Sequence, residues 1–328
     1  MGNNWEIWSD SLIEADWFKN LDVRMDSAAV YTIGQRNSNP VHIENLIAYD
    51  RPDIILCDSG KPILVVEKTA EVPTGHNVGQ RVARLVRSAE YGLTTLYFLP
   101  FEARKHGKYS SMCNINPRLL RAMLKMGEIH NCSVLPVNWP CDEYGELISD
   151  GSEDTVMSKL IRDALDSYEA TGIVVLDDCH ETSLRLEIKE REASFPPYRE
   201  LPNSAEVLAT RHFLKDKQLT DEARDHLQLR PESLVYTMDM SPEKSGRQDP
   251  YTGMQFIYDY GWLRTGPRPI DRDLNLILNI PRVDLKTWTQ KNPEDYESKS
   301  CNWYLTADAI VLSDGIIHLT DWPLHHVD

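Results

Sequence analysis

The chain has 328 residues, 41% hydrophobic and 26% charged, with a formal net charge of −16 at pH 7. That is the composition of a globular protein long enough for two ordinary cores, and its longest apolar runs, such as residues 173–176, are far too short to cross a bilayer. The start MGNNWEIWSD has neither the basic segment nor the apolar stretch of a secretory leader, and six cysteines without a CxxC pair suit reduced thiols, so a cytoplasmic protein without a membrane partner is expected.

In chain order, HIENLIAY (42–49) reads as a short helix. PDIILC (52–57) is a strand rich in β-branched residues, Asp58-Ser59-Gly60 is a turn signal, and ILVVEKT (63–69) is a second strand, which together predict a hairpin. After the loop VPTGH (72–76), Val78, Val82, Leu85 and Ala89 recur at i, i+4, i+7 and i+11. They form the apolar stripe of a helix running to Tyr91, with Gln80, Arg84 and Arg87 on the opposite face. Gly92 ends that helix, and TTLYFLP (94–100) is a buried strand bounded by Pro100. The order is helix, strand, strand, helix, strand.

Charge is unevenly spread. Residues 76–125 carry nine Lys/Arg against two acids, or +7, whereas the rest holds 26 basic and 49 acidic residues. An acidic body with one basic face suits a nucleic acid steered to one surface, and a solvated helical surface gives the same pattern. On the nucleic-acid reading, Arg81, Arg84, Arg87 and Lys105 are the contacts.

A boundary is expected at DEYGELISDGSED (142–154), where Gly, Ser and acids cluster. It divides an α/β domain, residues 1–150, from an α+β recognition or assembly domain, residues 151–328. In the second domain, strands are predicted at 172–178, 183–190, 233–240, 254–262, 275–280 and 308–319, and helices at 204–217 and 220–228.

The stretch from about residue 40 to 101 resembles the PD-(D/E)xK, or restriction-endonuclease-like, nuclease superfamily. That superfamily has the same element order, with an Asp after Pro and then a (D/E)xK triplet on the next strand. Pro52-Asp53 supplies the first element and Glu67 the second. The resemblance implies an α/β restriction-endonuclease-like core in which Asp53 and Glu67 bind Mg²⁺, or Mn²⁺ in its place, with Glu44 on the upstream helix as a further ligand. The metal would generate hydroxide and offset the charge of the phosphorane. It also implies DNA as substrate, a homodimer, and a setting in restriction or anti-phage defence, alone or as a subunit of a defence complex.

The triplet departs from the family pattern, because Glu67-Lys68-Thr69 puts Thr69 where the motif has lysine. Strand alternation places Thr69 on the face of Glu67 and turns Lys68 away. Thr69, Lys68 or Gln80 would then assist catalysis, and Arg81 could approach the phosphate. The missing lysine also supports a degenerate nuclease fold that binds nucleic acid or a partner without cutting. A third reading, a metal-dependent hydrolase of small phosphorylated compounds, rests on Asp177, Asp178, His180 and Glu181. Glu187-Ile188-Lys189 is a rival triplet, but no helix-strand unit follows it. His106, Cys113, His130, Cys132 and Cys141 could supply zinc ligands without matching a tight-knuckle spacing. The loop GWLRTGPRPIDR (261–272) and His325-His326 are weaker candidates.

Overall fold

The computed structural model describes residues 3–35, 37–79, 81–107, 110–194, 204–217, 219, 221–239, 241–244, 274–291, 307–315 and 317–319. The protein is mixed α/β. In the first half, β1 (Trp5–Ser9) leads through α1 (Leu12–Lys19) to the short edge strand β2 (Ala29–Thr32) and then to α2 (Val41–Leu46). The hairpin β3 (Ile54–Asp58) and β4 (Lys61–Lys68) follows, then the single turn α3 (Gly75–Gly79), α4 (Val82–Glu90) and β5 (Thr94–Leu99). A small hairpin of β6 (Glu102–Arg104) and β7 (Met112–Asn114) precedes α5 (Pro117–His130) and β8 (Val134–Asn138). Six of these strands form one sheet in the order β2-β1-β3-β4-β5-β8.

The expected order of helix, hairpin, helix and strand is therefore present over residues 41–99. The hairpin closes through Ser59 (φ 51°) and Gly60 (φ 78°), the left-handed pair that a two-residue turn needs to match the twist of its strands. Ile54 to Cys57 and Leu64 to Val66 are buried without alternation, as strands covered on both faces should be. β3 runs antiparallel to β1 and β4, and β4, β5 and β8 are mutually parallel.

The helix expected over 78–91 is broken into α3 and α4. The stripe of Val78, Val82, Leu85 and Ala89 is buried, but so are Arg87 and Ser88. On the opposite face Arg87 is buried and Arg84 half-buried, since α4 packs against both α2 and α5. α5 begins at Asn116, whose side chain accepts the Arg118 N–H with Pro117 in the first turn, and ends at Asn131 in the left-handed region, a complete pair of caps.

In the second half, the strands expected at 172–178 and 183–190 are not formed. Residues 173–177 are irregular, and residues 178–194 form helix α7 (Asp178–Ser194), preceded by α6 (Thr155–Thr171). The alternation of RLEIKE is overridden by helical spacing. Leu184 and Ile188 are buried, α7 packs on α5, and Glu181–Arg185 and Glu187–Arg191 pair at i,i+4. The expected helix 204–217 is instead β9 (Ser204–Ala209) with the short α8 (Thr210–Phe213). Pairing of β9 with β10 (Glu232–Thr237) outweighs the helix propensity of Ala, Glu and Leu.

The helix expected at 220–228 is α9 (Asp221–Gln228), and the strand at 275–280 is β11 (Leu274–Ile280). α10 (Leu285–Lys291) follows β11, and the strand expected at 308–319 is divided into β12 (Ala309–Leu312) and β13 (Ile317–Leu319). These five strands make a second sheet, β13-β12-β11-β10-β9. One buried apolar cluster runs from Trp5 and Phe18 through Leu160 and Leu184 to Leu234, Leu278 and Leu312. Residues 254–262, 261–272, His325 and His326 lie outside the described residues. No described helix is long and apolar enough to cross a membrane.

Candidate functional site

Three strands end at one place. Because β1 and β4 both run antiparallel to β3, the residues after β1, before β3 and at the end of β4 lie at the same edge of the sheet. This is also the C-terminal edge of β4, β5 and β8, where parallel sheets place their ligand sites. The N–H of Asp10 donates to the carbonyl of Asp53 (2.9 Å), which fixes the two residues side by side. Ser11 then caps α1: its Oγ accepts the Glu14 N–H at 3.3 Å and donates to Glu14 Oε2 at 3.1 Å. The cap sets Glu14 one turn into the helix. Ligand atoms of Asp10, Glu14 and Asp53 lie within 4.8 Å of one another, the single such grouping of His, Cys, Asp and Glu among the described residues.

The three carboxylates differ in environment. Asp10 is exposed and pairs with Arg51 Nη1 at 3.1 Å, Glu14 is half-buried, and Asp53 is buried. Burial and the charge of Asp53 push the Glu14 carboxyl up to about 7. Burial also raises Asp53, against the pull of Arg84. Three hard oxygen donors, two of them with the charged form disfavoured, are the donor set a divalent cation such as Mg²⁺ takes.

Glu67 belongs to a different set of contacts. It is fully buried, and its Oε2 accepts the backbone N–H of Asp53 at 3.3 Å. Arg84 Nη1 reaches Glu67 Oε1 and Oε2 at 2.8 and 3.0 Å and Asp53 Oδ1 at 3.5 Å, while its Nε and Nη2 both reach Asp50 Oδ2. Arg81 Nε lies 3.1 Å from Glu67 Oε1, an ion pair without hydrogen-bond alignment, and Arg81 Nη1 bonds Glu71 and the carbonyl of Asn77. Burial pushes the Glu67 carboxyl up to about 8, with Arg84 pulling it down. The buried phenol of Tyr97, in the field of Arg81 and Glu67, is raised by the same desolvation.

Lys68 takes the other face of β4, as alternation requires. Its backbone N–H donates to Asp53 Oδ2 at 2.7 Å. Its ammonium lies 4.1 Å from the ring centre of Trp17 and 4.9 Å from that of Trp139, and Phe98 stacks on Trp139 at 4.7 Å. Burial lowers the ammonium's pKa, and Asp154, Glu14 and Asp53 act against that. Trp17 is held in place by its Nε1–H donating to Asp154 at 2.9 Å. The result is a half-buried cation against two indole faces, in the field of Asp154, Glu14 and Asp53.

The remaining expected residues are placed as follows. Thr69 is buried, and its Oγ1 accepts the Glu71 N–H at 3.2 Å. Gln80 lies outside the described residues. Glu44 accepts from the N–H and Nδ2 of Asn39, both at 2.8 Å, closing the 34–39 loop, and is not part of the acidic grouping. Arg87 is buried, donating to the carbonyl of Asn45 and pairing with Glu90, with Tyr49 and Tyr91 over its guanidinium. Arg81, Arg84 and Arg87 therefore do not form an exposed basic face. Lys105 is half-buried beside the Cys113 thiol. Arg121 and Lys125 on α5 pair with Glu192 and Glu128.

Asp177 caps α7 through the N–H of Cys179, His180 meets Asp163, Glu181 meets Arg185, and Glu187-Ile188-Lys189 is helical. His106, Cys113, His130, Cys132 and Cys141, weighed above as zinc donors, do not group. Sequence reasoning missed Asp10, Glu14, Trp17, Asp50 and Trp139. The one local signal was Ser11-x-x-Glu14, a helix-start pattern; the rest depends on pairing β1 with β3. Comparison with protein-family models, curated proteins and solved structures finds no match.

Proposed function

We propose that the chain is a Mg²⁺-dependent endonuclease with a restriction-endonuclease-like core, hydrolysing DNA phosphodiester bonds. The observation that carries this reading is the convergence of Asp10, Glu14 and Asp53 at the edge of the hairpin, with Lys68 beside them. Asp10, Glu14 and Asp53 would hold the metal, with Mn²⁺ able to replace Mg²⁺. When bound, such a cation lowers the pKa of water and offsets charge on the phosphorane.

The protein's own contribution is orientation and proton handling. The Lys68 N–H and the Asp10 N–H fix Asp53 from its side chain and its backbone. Lys68, desolvated against Trp17 and Trp139, is suited to give a proton to the leaving oxygen or to orient the attacking water. It would take the part of the motif lysine from the neighbouring strand position. Duplex scission calls for two such sites of opposite polarity, which a two-fold homodimer supplies.

One observation favours a second reading, a nuclease fold that binds without cutting: Arg84 bridges Asp53 and Glu67, occupying the pair that the motif would give to metal. Incubating plasmid with the protein in Mg²⁺ or in EDTA separates the two. Metal-dependent scission supports the enzyme, and DNA retention without scission in Mg²⁺ or Mn²⁺ supports the binding protein.

A further inference from the structure

We infer that Glu67 is not a metal ligand and that Glu67 and Arg84 act together as a positioning pair for Asp53, the metal being held by Asp10, Glu14 and Asp53. This inference rests on the metal reading of the acidic cluster proposed above.

Both oxygens of the Glu67 carboxyl group are engaged. Oε1 faces Arg84 Nη1 at 2.8 Å and Arg81 Nε at 3.1 Å, and Oε2 faces Arg84 Nη1 at 3.0 Å and the Asp53 N–H at 3.3 Å. A dication on Oε1 would sit against two guanidiniums, and one on Oε2 against the Arg84 guanidinium and the Asp53 N–H. Arg84 cannot readily turn aside, because its Nε and Nη2 are anchored on Asp50, its side chain is largely buried, and its helix is enclosed. Moving it would strand Asp50 and leave a buried cation unpaired, which is costly.

The same geometry gives the pair a task. Arg84 ties together Asp50 in the loop before β3, Asp53 at the start of β3 and Glu67 on β4. Glu67 in turn holds the backbone N–H of Asp53. Asp53 is thereby fixed from one side by the Glu67–Arg84 pair and from the other by the Lys68 and Asp10 amides. Outer residues of this kind set ligand orientation, and losing one weakens metal affinity by about 10- to 100-fold.

The two assignments of Glu67 differ in the sign of one effect. Arg84 Nη1 holds Glu67 at 2.8 and 3.0 Å but Asp53 only at 3.5 Å, so were Glu67 a ligand Arg84 would be chiefly its competitor, and Arg84→Met would tighten metal binding. For a positioning pair, Arg84→Met weakens it. The test is Mn²⁺ titration of the full chain by calorimetry and electron paramagnetic resonance, with melting in EDTA showing that each variant is folded. Wild type should bind Mn²⁺, and Glu14→Gln and Asp53→Asn should abolish binding. Glu67→Gln and Arg84→Met should each weaken it about 10- to 100-fold, and the double variant no more than either alone. Arg84→Lys, which keeps the charge, serves if Arg84→Met does not fold and should weaken binding less than tenfold. Tighter binding in an Arg84 variant, with binding abolished in Glu67→Gln, overturns the inference and leaves the metal reading standing. A wild type that binds no Mn²⁺ overturns both.

Discussion

The backbone N–H of Lys68 donates to Oδ2 of Asp53 across 2.7 Å, so one residue of β4 fixes a carboxylate with its amide and places a cation near it with its side chain. Glu67, one position earlier, points to the opposite face and engages Arg81 and Arg84. Adjacent residues of one strand thus serve two electrostatic systems that meet at Asp53.

Two raised carboxyls, Glu14 in the acidic cluster and Glu67 beside Arg84, make metal-free stability depend on pH. The Glu14 carboxyl is raised to about 7 and Glu67 to about 8, both from 4.5. A carboxyl raised on folding contributes stability that is full below its ordinary value and lost as pH rises through the raised one. The urea midpoint in EDTA should therefore fall between pH 5 and 8.5. Mg²⁺ should reduce that fall, and Glu14→Gln should flatten it further. A midpoint that rises over this range in EDTA would contradict the assignment.

Lys68 should separate chemistry from folding. Lys68→Met keeps most of the stem against Trp17 and Trp139, so the loss of stability is that of the cation–π contacts, about 0.5–2 kcal/mol. Cleavage should fall by about 10²–10⁴ if the ammonium takes part in proton transfer. A folded Lys68→Met protein that cuts at the wild-type rate would remove Lys68 from the mechanism.

Arg87 should behave as a structural residue. Its pair with Glu90 is almost fully buried on both sides, and Arg87→Met removes that buried pair together with the bond to the Asn45 carbonyl. The expected cost is about 3–5 kcal/mol in urea unfolding. A cost below about 1 kcal/mol would mean that the pair is dispensable.

How much of this was legible in the sequence depends on sequence separation. The hairpin, its Ser59-Gly60 turn and the stripe of Val78, Val82, Leu85 and Ala89 are written in local pattern, and all three are formed. Asp53 was found because its strand could be read. The burial of Arg84 and Arg87 was not legible, since it results from α2 and α5 closing on both sides of α4. Asp10 and Glu14 were missed because their approach to Asp53 depends on β1 pairing with a strand more than forty residues away. The RLEIKE segment shows the reverse failure: alternation suggested a strand, and the contact of α7 with α5 decided for a helix.

The most direct measurement of the central claim is cleavage of supercoiled plasmid by wild type, Asp53→Asn and Glu14→Gln in Mg²⁺ and in EDTA, with melting curves for each protein. Wild type should cut in Mg²⁺ alone, either variant at least about 100-fold less, and both variants should melt without metal at or above the wild-type temperature. Scission that persists in EDTA, or folded Asp53→Asn and Glu14→Gln proteins that cut like wild type, would contradict the claim.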